Sequence, residues 1–156
     1  MSESRISTHE KWMAEAIRLA QKAYHNDEIP VGAVITKDDK IVGKGYNQRE
    51  RLNDPTAHAE IIAITAAANT IGDWRLNNCT LYVTKEPCVM CTGAIINSRL
   101  KQVIFGCHDE EGGYCGSKFD LISNQHLSSQ ITVRGGINAD ICLSLIQDFF
   151  KNKRKI

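Results

Sequence analysis

A surplus of charge of either sign is what this sequence most lacks. Its 19 lysines and arginines stand against 18 aspartates and glutamates, leaving a formal net charge of +1 over 156 residues. Domains that hold nucleic acid through its phosphates usually carry a visible basic excess, so charge alone announces no such partner, and no DNA is expected. Long apolar runs are missing as well. Nothing approaches the roughly 18 consecutive apolar residues of a membrane-spanning helix. The first ten residues, Met1 to Glu10, are polar and offer no secretory segment. The expected location is therefore the cytoplasm, with no membrane contact. Proline occurs only three times, at Pro30, Pro55 and Pro87, and each reads as a break between elements or the start of one.

What is present is the composition of an ordinary globular protein, 42% hydrophobic and 24% charged, long enough for one domain spanning residues 1–156 around one core. Six cysteines (Cys79, Cys88, Cys91, Cys107, Cys115 and Cys142) could form a disulfide framework. Without a secretory segment, reduced thiols and a metal site are the expected use. A basic tail, Lys151, Lys153, Arg154 and Lys155, closes the last helix; it suits either a solvated helix end, where cations complement the dipole, or a phosphate contact.

Periodicity orders the chain as α-β-β-α-β-α-β with a less regular end. Ser7 and Glu10 form a capping-box pattern ahead of a helical stripe from Trp12 to Tyr24. Val31–Thr36 and Ile41–Tyr46 flank the polar turn Lys37-Asp38-Asp39-Lys40, which predicts a hairpin. Gly43 and Gly45 weaken its second strand, or let another backbone or a ligand approach closely. Asp54-Pro55-Thr56 is expected to start a helix running through His58 to Ala68. Thr80–Thr84 is a short strand, and Pro87 is expected at the first position of a helix from Cys88 to about Ser98. Val103–Gly106 is a further strand, Asp109–Ser117 a glycine-rich loop, and Ile131–Val133 a possible last strand. Asn138 is expected to cap a final helix with Ile141, Leu145, Ile146, Phe149 and Phe150 on one stripe. Strands alternating with helices imply a mixed sheet between helical layers.

Two short segments carry chemistry: His58-Ala59-Glu60, and Pro87-Cys88-Val89-Met90-Cys91 thirty residues further on. One imidazole and two thiolates make three zinc ligands, which leaves the fourth tetrahedral position open for water. Both segments fall at expected helix starts, where unpaired N–H groups and the helix dipole favour thiolates and a metal-bound hydroxide. Glu60 is placed to move protons to and from that water. A thioredoxin-type redox pair would use Cys88 and Cys91 alone, and would leave His58 and Glu60 without a role. A structural zinc would need a fourth ligand, for which Cys79, Cys107, His108 and Cys115 are candidates. The combined His-x-Glu and Pro-Cys-x-x-Cys pattern is the signature of zinc nucleobase deaminases.

With Glu28-Ile-Pro-Val-Gly-Ala-Val34, Asn53-Asp-Pro-Thr-Ala-His-Ala-Glu60, Leu81 through Cys91, and Asp109 through Ser117, the sequence resembles the bacterial tRNA-specific adenosine deaminases of the cytidine deaminase-like superfamily, over roughly residues 9–154. The resemblance implies a three-layer α/β/α sandwich around a five-stranded mixed sheet. It implies a homodimer whose active sites borrow residues from the partner, and one Zn2+ per chain. The implied reaction is hydrolytic deamination of the wobble adenosine (position 34) of arginine tRNA to inosine, with release of ammonia, on a tRNA anticodon stem-loop. Under it His58, Cys88 and Cys91 are zinc ligands and Glu60 is the proton shuttle. Asn47 contacts the target nucleoside, the Ala59 and Cys88 N–H groups lie near the reacting centre, and Asp109 contacts the neighbouring nucleotide. From the residues alone, Asn47 would equally serve a turn and Asp109 a solvated loop. Glu110, Glu111 and Asp27 depart from the pattern by adding acids where RNA is expected. Deamination of a free guanine, cytosine or cytidine uses the same chemistry, and a zinc-stabilised RNA-binding subunit without activity is the alternative of a different class.

Overall fold

The computed structural model describes residues 6–123 and 130–153. Arg154 and Lys155 of the basic tail lie outside the described residues. Among the described residues ten elements follow one another: α1 (Thr8–His25), β1 (Gly32–Lys37), β2 (Lys40–Tyr46), α2 (Arg49–Leu52), α3 (Ala59–Ile71), β3 (Thr80–Lys85), α4 (Val89–Asn97), β4 (Gln102–Cys107), β5 (Thr132–Arg134) and α5 (Ala139–Lys153). The sheet order is β2-β1-β3-β4-β5. β1 lies antiparallel to both β2 and β3, and β3, β4 and β5 run parallel, so the expected mixed five-stranded sheet is present.

Alternation along the strands makes the three layers. Ala33 and Ile35 of β1, Leu81 and Val83 of β3, and Val103 and Phe105 of β4 pack in one cluster with Ala59, Ala63, Ala67, Ile95 and Ile96 of α3 and α4. The residues between them, Val34, Tyr82 and Ile104, turn to the opposite face and meet Trp12, Met13, Ala16 and Ile17 of α1 and Cys142 of α5. A period of two in the strands therefore feeds two cores with one sheet between them.

Gly43 and Gly45 show what glycine in β2 is for. A Cβ at Gly45 would collide with the Ala59 carbonyl and sit 2.8 Å from the Ala63 nitrogen; one at Gly43 would sit 2.7 Å from the Ala67 nitrogen. The close partner is the backbone of α3, not a ligand. The absent side chains let that helix lie flat on the strand.

Several local expectations shift by a few residues. At the start of α1 the Ser7 hydroxyl accepts from the Glu10 N–H at 3.1 Å, as the capping pattern predicts. Asp54-Pro55-Thr56 does not begin α3. The Asp54 carboxylate instead accepts from the Thr56 N–H at 2.8 Å and the Thr56 hydroxyl at 2.7 Å, a closed turn that delivers the chain to His58. Pro87 precedes the N-cap Cys88 rather than occupying the first helical position. Asn138 directly precedes α5 with φ 53°, outside the extended conformation of a side-chain cap, and its carbonyl accepts from the Cys142 N–H. The short α2 had no periodic signal; it stands because the buried Glu28 carboxylate accepts from the N–H groups of Glu50 and Arg51 at 3.0 and 2.8 Å.

Candidate active site

Two helix starts face each other at one end of the sheet. His58 is the N-cap of α3 and Cys88 the N-cap of α4, both in extended backbone, and neither side chain caps its own helix. Forgoing that bond frees both side chains to turn toward one point. His58 Nδ1 lies 3.6 Å from Cys88 Sγ and 3.5 Å from Cys91 Sγ, and the three ligand atoms all fall within 4.8 Å of one another. A tetrahedral zinc with bonds of about 2.05 Å to nitrogen and 2.3 Å to sulfur separates an N,S pair by about 3.5 Å. The donor set and its spacing therefore fit zinc.

The same groups perturb one another's protonation. Cys88 is pulled down to about 3, chiefly by the hydrogen bond from the Cys91 thiol and further by His58. Cys91 is pushed up by that same bond and by burial. His58 is raised by its bond to Cys88. Glu60, 4% exposed, is raised by burial beside this cluster. A carboxyl that holds its proton more tightly than usual suits a group that must both take and return one.

A cleft of about 110 Å³ opens over the cluster, lined by His58, Ala59, Glu60 and Cys88 together with Asn47 and Asp109. Cys91 lies buried behind it. All the sequence-predicted site residues are thus brought to one place. Asn47 and Asp109 also have local partners. Asn47 donates to the Ile29 carbonyl at 3.3 Å and accepts from the Arg49 N–H at 3.4 Å. Asp109 accepts from the Glu111 and Gly112 N–H groups at 3.1 Å and pairs with Lys85 at 3.2 Å. Its carboxyl stays below the ordinary value because Lys85 and those N–H groups outweigh the upward push of burial.

The chain matches the model of the cytidine and deoxycytidylate deaminase zinc-binding region over residues 6–107. It belongs to that family. Among curated deaminases, the tRNA-specific adenosine deaminase of Haemophilus influenzae is 44% identical over 147 residues, covering 94% of this chain and 85% of that one. A solved structure from work on A-to-I editing by tRNA:A34 deaminases superposes with a TM-score of 0.83 at 34% identity, covering 86% of this chain and 98% of the other. The Bacillus subtilis guanine deaminase structure is 41% identical, with a TM-score of 0.63, over 65% of this chain and 66% of that one.

Several groups of this deaminase's cleft escaped the sequence reading. Arg49 and Lys85 bring cations to its walls, and Ile29 and Val31 give it an apolar side. Glu86 is buried at 3% exposure. The available signal for Glu86 was an acid closing an apolar strand directly before the Pro-Cys motif. The other predicted elements separate in the structure. Phe149 is buried against Tyr24, while Phe150 is 41% exposed. Cys79, Cys107, Cys115 and Cys142 are buried, and none joins the three-residue metal cluster. Glu110 and Glu111 are exposed on the loop beyond Asp109.

Proposed function

We propose that this chain hydrolytically deaminates the wobble adenosine (position 34) of arginine tRNA, giving inosine and ammonia. The observation that carries the chemistry is the buried Glu60 beside the His58, Cys88 and Cys91 triad in a cleft. The near-full-length similarity to tRNA-specific adenosine deaminases carries the substrate. An anticodon loop presents an unpaired base without opening a duplex, which matches a narrow cleft.

His58, Cys88 and Cys91 hold the zinc in this reading. The chemistry such an ion supplies is activation of water for attack at neutral pH. Glu60 takes a proton from the attacking water and returns it to the departing amino nitrogen. The N–H groups of Ala59 and Cys88, at the two helix starts, steady developing negative charge. Asn47, held by Ile29 and Arg49, orients the nucleoside, and Asp109 meets the neighbouring nucleotide. Residues 1–156 act as one deaminase domain, in the cytoplasm, as a homodimer in which the partner completes each site.

Incubating the zinc-loaded protein with an adenosine-34 arginine tRNA is expected to yield inosine with one zinc per chain. Absence of inosine at full zinc occupancy overturns the substrate. The guanine deaminase likeness supports a second reading, so free guanine belongs in the same assay; ammonia from guanine with none from tRNA decides for it. Light scattering at twice the 17.4 kDa chain mass supports the homodimer, and the single chain mass overturns it.

A further inference from the structure

Glu86 follows the last residue of β3 and precedes Pro87 and the Cys88–Cys91 turn, yet its carboxylate bonds to neither cysteine; its partners lie elsewhere. It is fully buried and surrounded by donors from the loop between β4 and β5. Oε1 accepts from the Asp109 N–H at 3.1 Å and from the Ser117 hydroxyl. Oε2 accepts from the N–H groups of Cys115 and Ser117 at 3.1 and 3.0 Å. The His108 ring lies 3.6 Å from Oε1. A Cβ at Gly113 would collide with this carboxylate, so glycine there lets the loop close on it. Every hydrogen bond to this carboxylate arrives from residues 109–117, which make one wall of the cleft through Asp109.

We infer that Glu86 is a positioning residue: its carboxylate seats the 109–117 loop and so sets where Asp109 stands in the cleft, controlling substrate binding rather than the chemical step. The inference deepens the proposed function and rests on it for its kinetic part only. Lys85, the residue before it, holds the Asp109 side chain while Glu86 holds the Asp109 backbone. The last residue of β3 and the one after it thus fix one cleft residue at two points. The loop also meets the metal turn directly, the Tyr114 N–H donating to the Pro87 carbonyl at 3.0 Å, but that bond does not use the Glu86 carboxylate. The Glu86 N–H donates to the Cys107 carbonyl at 2.9 Å, and Lys85 pairs with Cys107 in the β3–β4 ladder, so the backbone before Cys88 is held without the carboxylate.

Glu86→Gln isolates the effect because the amide must place an NH2 where one oxygen stood. Turned toward Cys115 and Ser117, it faces two N–H donors. Turned the other way, the Ser117 hydroxyl can reverse and accept, and only the Asp109 N–H loses its partner. The second arrangement costs less, so the variant loosens Asp109 selectively.

The test compares wild type and Glu86→Gln in zinc content, amide exchange and kinetics on an adenosine-34 anticodon stem-loop. Expected are one zinc per chain, exchange of the Asp109 amide faster by about tenfold or more, the scale of one unmade buried hydrogen bond, and a KM raised by about tenfold with kcat within about threefold. Unchanged exchange there, or a fall in kcat with KM held, overturns it. Should the wild type make no inosine, the proposed function fails while the exchange experiment still decides the positioning role. Where Glu86→Gln does not fold, Ser117→Ala removes one donor and keeps the carboxylate; faster exchange at Asp109 supports the inference and no change refutes it.

Discussion

Gly45→Ala tests whether the fit of α3 on β2 sets the metal site. The added methyl would lie 2.8 Å from the Ala63 nitrogen and 3.1 Å from the Ile62 Cβ, and closer still to the Ala59 carbonyl. Restoring ordinary contact moves the first turns of α3 off the strand by roughly 0.6 Å or more. Backbone cannot rotate out of the way as a side-chain tip can. Overpacking of this kind costs about 1–3 kcal/mol, or about 2–4 °C of melting temperature per kcal/mol in a protein this size. Gly43→Ala meets the same helix about one turn later, at Ala63 and Ala67, and is expected to cost a similar amount. The two differ in what they displace. Gly45 lies under Ala59, beside His58 and Glu60, so its variant alone is expected to lose zinc affinity, by about 10-fold. Thermal melts of the metal-free proteins give the stability cost, and competition with a chromophoric chelator gives the affinity. Equal zinc affinity in two equally destabilised variants would refute the claim that this contact positions the ligands.

Glu60→Gln is expected to keep one zinc per chain and lose about 10²–10⁴-fold in turnover, checked by metal analysis beside the inosine assay; retained activity removes Glu60 from the mechanism. Thiol labelling of native protein at neutral pH is expected to modify no cysteine while zinc is bound, and to reach Cys88 first after chelation. Cys115 and Cys142, pushed up to about 12 by burial, should react only on unfolding. Asp54 is held below its ordinary value of 3.8 by the Thr56 hydroxyl and N–H. A depressed carboxyl stabilises the fold above its unfolded pKa and loses that share as pH falls through the folded one. Asp54→Asn should therefore be less stable than wild type near neutrality, the gap closing as pH falls past the ordinary carboxyl value and through the lowered folded one; a gap independent of pH in urea titrations would contradict the assignment.

The sequence by itself determined the alternating layers and the candidate metal-ligating residues, because both are written in local order. A period of two or of 3.6 follows from backbone geometry, and the imidazole of His58 and the thiols of Cys88 and Cys91 are metal-ligating types that the fold brings within 4.8 Å of one another. It also marked Gly43 and Gly45 as points of close approach, without saying what approaches. Only the tertiary structure decided that the α3 backbone is the partner, since contacts across the sheet leave no periodic trace. It likewise moved the start of α3 past the Asp54–Thr56 turn, where a side-chain acceptor competes with the helix for the backbone. Glu28 and Glu86 show the limit most plainly. In sequence each is one acid among 18 acidic residues. Folding brings Glu28 under α2 and Glu86 under the 109–117 loop, where unpaired N–H groups converge and a buried carboxylate is stable. That convergence depends on residues more than 20 positions away, and no local pattern records it.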